Sequence, residues 1–295
     1  MKRKTFVVLT ACLLCLTLLG GIAYASFSLG IYRNFADLSE NETVDVDYRI
    51  TSNDKNSGTT IFTVHGGGIA KGTSELAAAL ADRGGFNLYL FEGIKPADNL
   101  NLHITSTQFD EPAAINMIEN SNTAVSFIGT KEETAMLTYV GGQNQLLARL
   151  IKLHLQAAGF NVQDAPYIPT NIAGTLSSNI VNKNKLLFDT YKLGGVQIAV
   201  SKGMRDALLK DDAYFQSYVT NINNALSSSW PLAVETLKPH PNNASPSSMA
   251  RQNANENAAF NRSDTDIDKT IKEVLQYDFN SPKELIDKLK EETKK

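Results

Sequence analysis

The chain has 295 residues, 42% hydrophobic and 20% charged, enough to bury a substantial core in one large α/β domain with appendages. Its net charge of -3 and isoelectric point near 5.9 exclude the basic face of a nucleic-acid binder, and no nucleic-acid partner is expected. A polyanionic ligand would need a local basic pocket, because global attraction does not supply one.

Residues 1–26 read as a targeting element. Lys2, Arg3 and Lys4 form a positive head, Thr5 to Ala25 is almost wholly apolar, and Ala23-Tyr24-Ala25 before Ser26 fits a small-residue cleavage site. Export to a secreted or extracytoplasmic location is the expectation. The apolar run 5–25 is also long enough to span a bilayer, which leaves an uncleaved membrane anchor open. A third reading is lipidation at Cys12, since Leu9-Thr10-Ala11-Cys12 looks like a lipobox. Cys12 and Cys15 are the only cysteines, so no disulfide supports the body.

Residues 27–44 are polar and irregular, a short stalk or an edge element. The β-branched and aromatic run Thr59 to Val64 predicts a buried strand that stops at His65. Three glycines follow, and Thr73 offers an N-cap oxygen to a helix over 75–81. A polar side chain lifted off a strand end onto a glycine loop is where an open α/β sheet keeps its site; a glycine turn with His65 capping the strand is the other reading. Further strands are predicted at 87–91, 123–128, 134–140 and 195–201. Helices are predicted at 111–119, 144–158 with Gly159 closing it, and 202 to about 227. This alternation implies a mixed, largely parallel central sheet with helices on both faces.

Beyond Lys238 the composition shifts. Residues 239–262 are rich in Asn, Ser, Ala and Pro and read as a linker. Two short amphipathic helices follow in 263–295. The first carries Ile267, Ile271, Val274 and Leu275, and the second opens with the capping box Ser281-Pro282-Lys283-Glu284 before Leu285, Ile286 and Leu289. Each stripe is too narrow to fold alone, so these helices dock on the body, pair with each other, or bind a protein partner.

The run His-Gly-Gly-Gly-Ile-Ala-Lys-Gly-Thr-Ser-Glu at 65–75 resembles the opening motif of the poly-γ-glutamate hydrolases, zinc enzymes of phages and bacilli related in fold to zinc carboxypeptidases. Further motifs in the same order are Leu-Tyr-Leu-Phe-Glu-Gly (88–93), Leu-His-Ile-Thr-Ser-Thr-Gln-Phe-Asp-Glu-Pro (102–112), Ala-Val-Ser-Phe-Ile-Gly (124–129) and Gly-Val-Gln-Ile-Ala-Val-Ser-Lys-Gly-Met-Arg (195–205). The resemblance implies a zinc carboxypeptidase-like domain within 27–238.

It also implies a zinc held by the histidine kept here as His65, by a glutamate five residues later, and by a histidine in the fourth motif. The latter two positions are Ala70 and Ile128, the general-base glutamate is replaced by Ala199, and another expected histidine is Gln108. A catalytic zinc needs about three nitrogen or carboxylate ligands, a water, and a base for that water's proton. The pocket remnant is then His65, Glu75, His103 and Gln108. Asn179-Ile180-Val181-Asn182-Lys183 is similar to a family segment whose Asn-Arg pair, in related carboxypeptidases, grips a carboxylate. Asn182 and Lys183 are therefore candidate anion contacts, and Lys202 and Arg205, where strand 195–201 turns into its helix, are candidates facing the same pocket; Lys183 also reads as a solvated loop lysine, and Lys202 and Arg205 as ordinary charges on a helix start. Lysine lacks the planar fork of arginine, so any grip by Lys183 would be looser.

The expectation is a degenerate member without cofactor: an exported pseudoenzyme that binds an anionic peptide or polyglutamate. The alternative is an active zinc-dependent γ-glutamyl hydrolase with ligands relocated to His65, His103, Glu75 or Glu92. A third reading is a surface protein acting through its C-terminal helices.

Overall fold

A computed structural model describes residues 30–227, except 133, 165–166, 186 and 189–190, together with 283–285 and 287–288. The targeting segment, the linker, Trp230 and the helix expected at 263–275 lie outside the described residues. No helix among the described residues is long and apolar enough to cross a membrane.

The strands are β1 (Tyr48–Asn53), β2 (Thr59–Gly67), β3 (Asn87–Gly93), β4 (Thr123–Thr130), β5 (Thr138–Gly142), β6 (Val162–Gln163), β7 (Leu187–Phe188), β8 (Tyr191–Lys192) and β9 (Val196–Ser201). The helices are α1 (Phe35–Ser39), α2 (Thr73–Gly84), α3 (Pro112–Glu119), α4 (Gln145–Ala157), α5 (Lys202–Lys210) and α6 (Asp212–Ser227). Seven strands form one sheet in the order β1-β3-β2-β4-β9-β5-β6. Pairs β2–β3, β2–β4, β4–β9 and β5–β6 are parallel, while β1–β3 and β5–β9 are antiparallel. This is the mixed, largely parallel sheet expected from the alternation of strands and helices.

Side-chain alternation along the strands separates two cores. Ile61, Val125, Phe127, Val140, Ile198 and Val200 face one side, where they meet the buried residues of α2, α4, α5 and α6. Phe62, Val64, Tyr89, Phe91 and Ala124 face the other, where α3 and the segment 102–109 cover them. Leu285 is buried in the first cluster, so the described turn of the second C-terminal helix packs on the body. Residues 27–44 are not merely a stalk. They include α1, whose Leu38 is fully buried in the second cluster, because Asn34 caps the helix and Phe35 packs edge-on to Tyr48 and Phe91.

The single helix expected over 202–227 is two. Asp211 has extended backbone, and its Oδ1 accepts from Tyr214 N, so it ends α5 and caps the next turn. The strand expected from 134 begins at Thr138.

Candidate functional site

Strand order places a switch point in this sheet. After β2 the chain moves through α2 to β3 on one side, and after β4 it moves to β5 on the other, so the connections leaving the carboxyl ends of these neighbouring strands diverge. His65 stands at the end of β2. Between Thr63 and Gly66 the pairing with β3 slips by one residue, and this bulge turns His65 toward segment 103–104. Its Nε2–H donates to the carbonyl of Ile104 at 2.8 Å, which leaves that nitrogen no lone pair for an ion. The ring stacks on His103 with centroids 4.1 Å apart and 15° between planes.

Both imidazoles are held neutral. Burial, with His103 alongside, keeps His65 well below the ordinary histidine range. Burial also pushes His103 down to about 4, and the Lys131 ammonium adds to the effect. The Nδ1 of His103 is buried with no hydrogen-bond partner among the described residues.

The loop after His65 is fixed from several directions. Gly72, with φ of 101°, rather than Thr73 is the N-cap of α2, and its N–H donates to Glu75 Oε2 at 3.0 Å. Thr73 Oγ1 instead donates to the carbonyls of His65 and Ala70, tying the loop to the strand end. Arg205 of α5 is buried, and its guanidinium donates to the carbonyls of Lys71, Thr130 and Val200. It therefore stitches the loop to the ends of β4 and β9. Nothing in the spacing of the sequence announced that role.

Ala70 lies against the end of β4, since a Cβ placed on Gly129 would come within 2.6 Å of its methyl. The next residue back, Ile128, is the register partner of Ala199 on β9, and Ala199 is in turn the partner of Tyr139 on β5. Ile128, Ala199, Tyr139 and Ile168 form one buried apolar cluster, with Leu137, Ile172 and Ala173 packed against it. The positions singled out in the sequence thus lie toward the same sheet end, Ile128 and Ala199 paired across neighbouring strands and Ala70 against Gly129. Among the described residues no three His, Cys, Asp or Glu side chains gather in a metal-holding group.

The remaining candidates are dispersed. Glu75 is spent on its helix start, Glu92 lies on β3 beside Gly66, and Gln108 is exposed, its Oε1 accepting from Thr105. Asn182 is a scaffold hub: its Nδ2 donates to the carbonyls of Gly174 and Leu176, and its Oδ1 accepts from Gln143 N and Gly195 N. All of its hydrogen-bonding capacity faces inward. Lys183 ends the adjoining 3-10 turn, and Lys202 pairs with Asp206 at 2.7 Å on the surface.

A model of the poly-gamma-glutamate hydrolase family matches residues 32–228. Among curated proteins, the chain is 38% identical to UPF0714 protein YndL over 182 residues, covering 60% of this chain and 66% of YndL. It is 37% identical to UPF0714 protein YmaC over 187 residues, covering 63% and 74%. Both are from Bacillus subtilis (strain 168), as is the SPbeta prophage-derived UPF0714 protein YoqZ, 39% identical over 153 residues, of which 54% is covered. The matched region is therefore less than two thirds of YndL and about half of YoqZ. Among solved structures, a bacteriophage poly-gamma-glutamate hydrolase superposes with a TM-score of 0.62 at 34% identity, covering 68% of this chain and 98% of that one. A zinc-free, apo form of YndL gives 0.61 at 33%, covering 68% and 99%.

Proposed function

This chain belongs to the poly-gamma-glutamate hydrolase family, and from that membership we propose that it is an exported, non-catalytic member that binds an anionic γ-glutamyl peptide without cutting it. The observation that carries the reading is the pairing of Ile128 with Ala199 in a buried apolar cluster, with Ala70 against the adjoining Gly129 and His65 at the end of the neighbouring strand. The residues present do not fit a zinc ion. Alkyl groups have no lone pair to donate, so with Nε2–H of His65 given to a backbone carbonyl only its Nδ1 is left as a donor among the family's ligand positions, too few for a zinc site. No base stands at position 199 to take a proton from an attacking water.

Binding needs less than catalysis does. The switch point persists in the strand order, and the Lys131 ammonium acts on His103, which puts a cation at that sheet end for a carboxylate. Export follows from the composition of residues 1–26.

The test is to purify the protein without chelators, assay zinc, and incubate it with γ-glutamyl oligomers while following both cleavage and binding by calorimetry. We expect sub-stoichiometric zinc, intact oligomers, and saturable binding that weakens on Lys131→Ala. Stoichiometric zinc accompanied by γ-glutamyl cleavage would overturn the reading in favour of relocated ligands around His65 and His103.

A further inference from the structure

The sheet end opposite His65 carries a second cleft, with a volume of about 510 Å³. It opens where β2, β3 and β4 begin, six residues along β2 from His65, which at the rise of an extended strand is roughly 20 Å. Its walls are held from behind. Asn87, 5% exposed at the start of β3, accepts from the N–H groups of Lys55 and Ser57 and donates to the Ser57 carbonyl, fixing the loop before β2. On the other wall Asn122 N donates to Gly58 O, Asn184 donates to the Asn122 carbonyl, and Lys185 N donates to Ser121 O. A rim tied at this many points is ready before a ligand arrives.

The groups that line the space are different in kind from those of the strand-end site. Among the described residues, Asn56, Asn116 and Asn122 contribute amides over a floor that includes Met117, with one anion, Asp54, and one cation, Lys185. Asp54 gives one oxygen to Asn56 N, and Asn116 Oδ1 accepts from Asn120, which leaves the other carboxylate oxygen and the other amide group unspent. The side chains of Lys185 and Asn122 have no hydrogen-bond or ion-pair partner among the described residues. Among the described residues that line the cleft no side chain is aromatic, so none of them offers a sugar ring a face to stack on. Opposite single charges and dual-character amides match a molecule that carries one ammonium, one carboxylate and a peptide bond.

We propose that this cleft binds the zwitterionic end of an amino acid or short peptide, with its ammonium at Asp54, its carboxylate at Lys185, and its amide against the asparagine side chains. The assignment is independent of the reading of the strand-end site, because it uses none of the same residues.

Calorimetric titration of the full chain with L-glutamate and with γ-glutamylglutamate tests it, alongside their N-acetyl and α-amide derivatives and chitobiose as a neutral sugar. One L-glutamate per chain is expected at this cleft, and one γ-glutamylglutamate in addition to any held at the strand end; the cleft's binding is weakened at least about tenfold by N-acetylation, by amidation, by Asp54→Asn and by Lys185→Met, and unchanged in Lys131→Ala and His65→Ala. Thermal midpoints check that the variants fold; should Asp54→Asn lower its midpoint, Lys185→Met and the two derivatives decide the matter. The proposal is overturned if neither zwitterion binds at millimolar concentration, if binding ignores the derivatives and variants, if chitobiose binds in their place, or if His65→Ala abolishes binding and so locates it at the other sheet end.

Discussion

The imidazoles of His65 and His103 lie face to face, ring centroids 4.1 Å apart and 15° from parallel, beneath the carboxyl end of the sheet. Stacked at that distance and buried, the pair is stable only while both rings are neutral, since a charge on either would be desolvated and close to the other.

Stability should therefore fall on acidification. The folded-state pKa of His103 is about 4 against 6.5 for the ordinary residue, and that of His65 is shifted in the same direction. A lowered histidine pKa means the unfolded chain binds the extra proton, so this contribution is complete above about pH 6.5 and lost as pH drops toward 4. His103 alone accounts for up to about 3 kcal/mol over that window. Urea midpoints between pH 7.5 and 4.5 measure it, and His103→Phe should flatten the slope; an unchanged slope would show the pair already charged or solvated.

Asn182 and Lys183 adjoin in sequence yet should behave in opposite ways. Asn182→Ala strands the N–H groups of Gln143 and Gly195 and the carbonyls of Gly174 and Leu176, a loss of about 2–4 kcal/mol. Lys183→Ala, at a half-exposed position whose interactions are partly solvated, should cost no more than about 1 kcal/mol. Equilibrium denaturation separates the two, and an Asn182→Ala protein of normal stability would return that amide to the list of ligand contacts.

Leu285 is 1% exposed inside the main core, although it lies outside the span matched to the family, 32–228. Leu285→Ala should cost about 2–4 kcal/mol, as truncation of a buried leucine does. The measurement is a chemical-denaturation curve beside that of a chain ending at residue 238, which should lose a comparable amount. A truncated chain as stable as the parent would mean the C-terminal helix contributes nothing to the body.

Ala199 is fully buried among aliphatic side chains, so Ala199→Glu places a carboxylate there without partners. We expect a loss of about 3 kcal/mol or more. Adding Ala70→Glu and Ile128→His to the same chain should make its thermal midpoint rise with zinc, because three donors would then flank the His65 strand end. A tolerated single substitution would indicate an open, watered pocket in place of the closed apolar cluster.

Much of this architecture could be read from the residues. The strand starts at Thr59, Asn87 and Thr123 coincide with the β-branched and aromatic runs, and α4 follows its leucine stripe to Gly159, which takes the left-handed φ of 86° that such a terminus favours. Other features were misread where a distant group competes with a local one. Thr73 looked like a cap, but its hydroxyl is drawn to the carbonyls of His65 and Ala70, leaving the cap to Gly72. The break at Asp211 did have a local signal, the Asp-Asp pair, which the apolar periodicity on either side concealed.

By itself the sequence determined the class of sheet and the chemical character of its working end, because strand periodicity and the presence or absence of a donor atom are properties of single residues and their neighbours. Only the tertiary structure decided which of those residues meet. Pairing Ile128 with Ala199, aiming His65 through a one-residue bulge onto Ile104 and His103, turning Asn182 inward and drawing Leu285 into the core all depend on register and on hydrogen bonds across tens of residues. Contacts of that kind are selected by the packing of the whole sheet, and no local pattern encodes them.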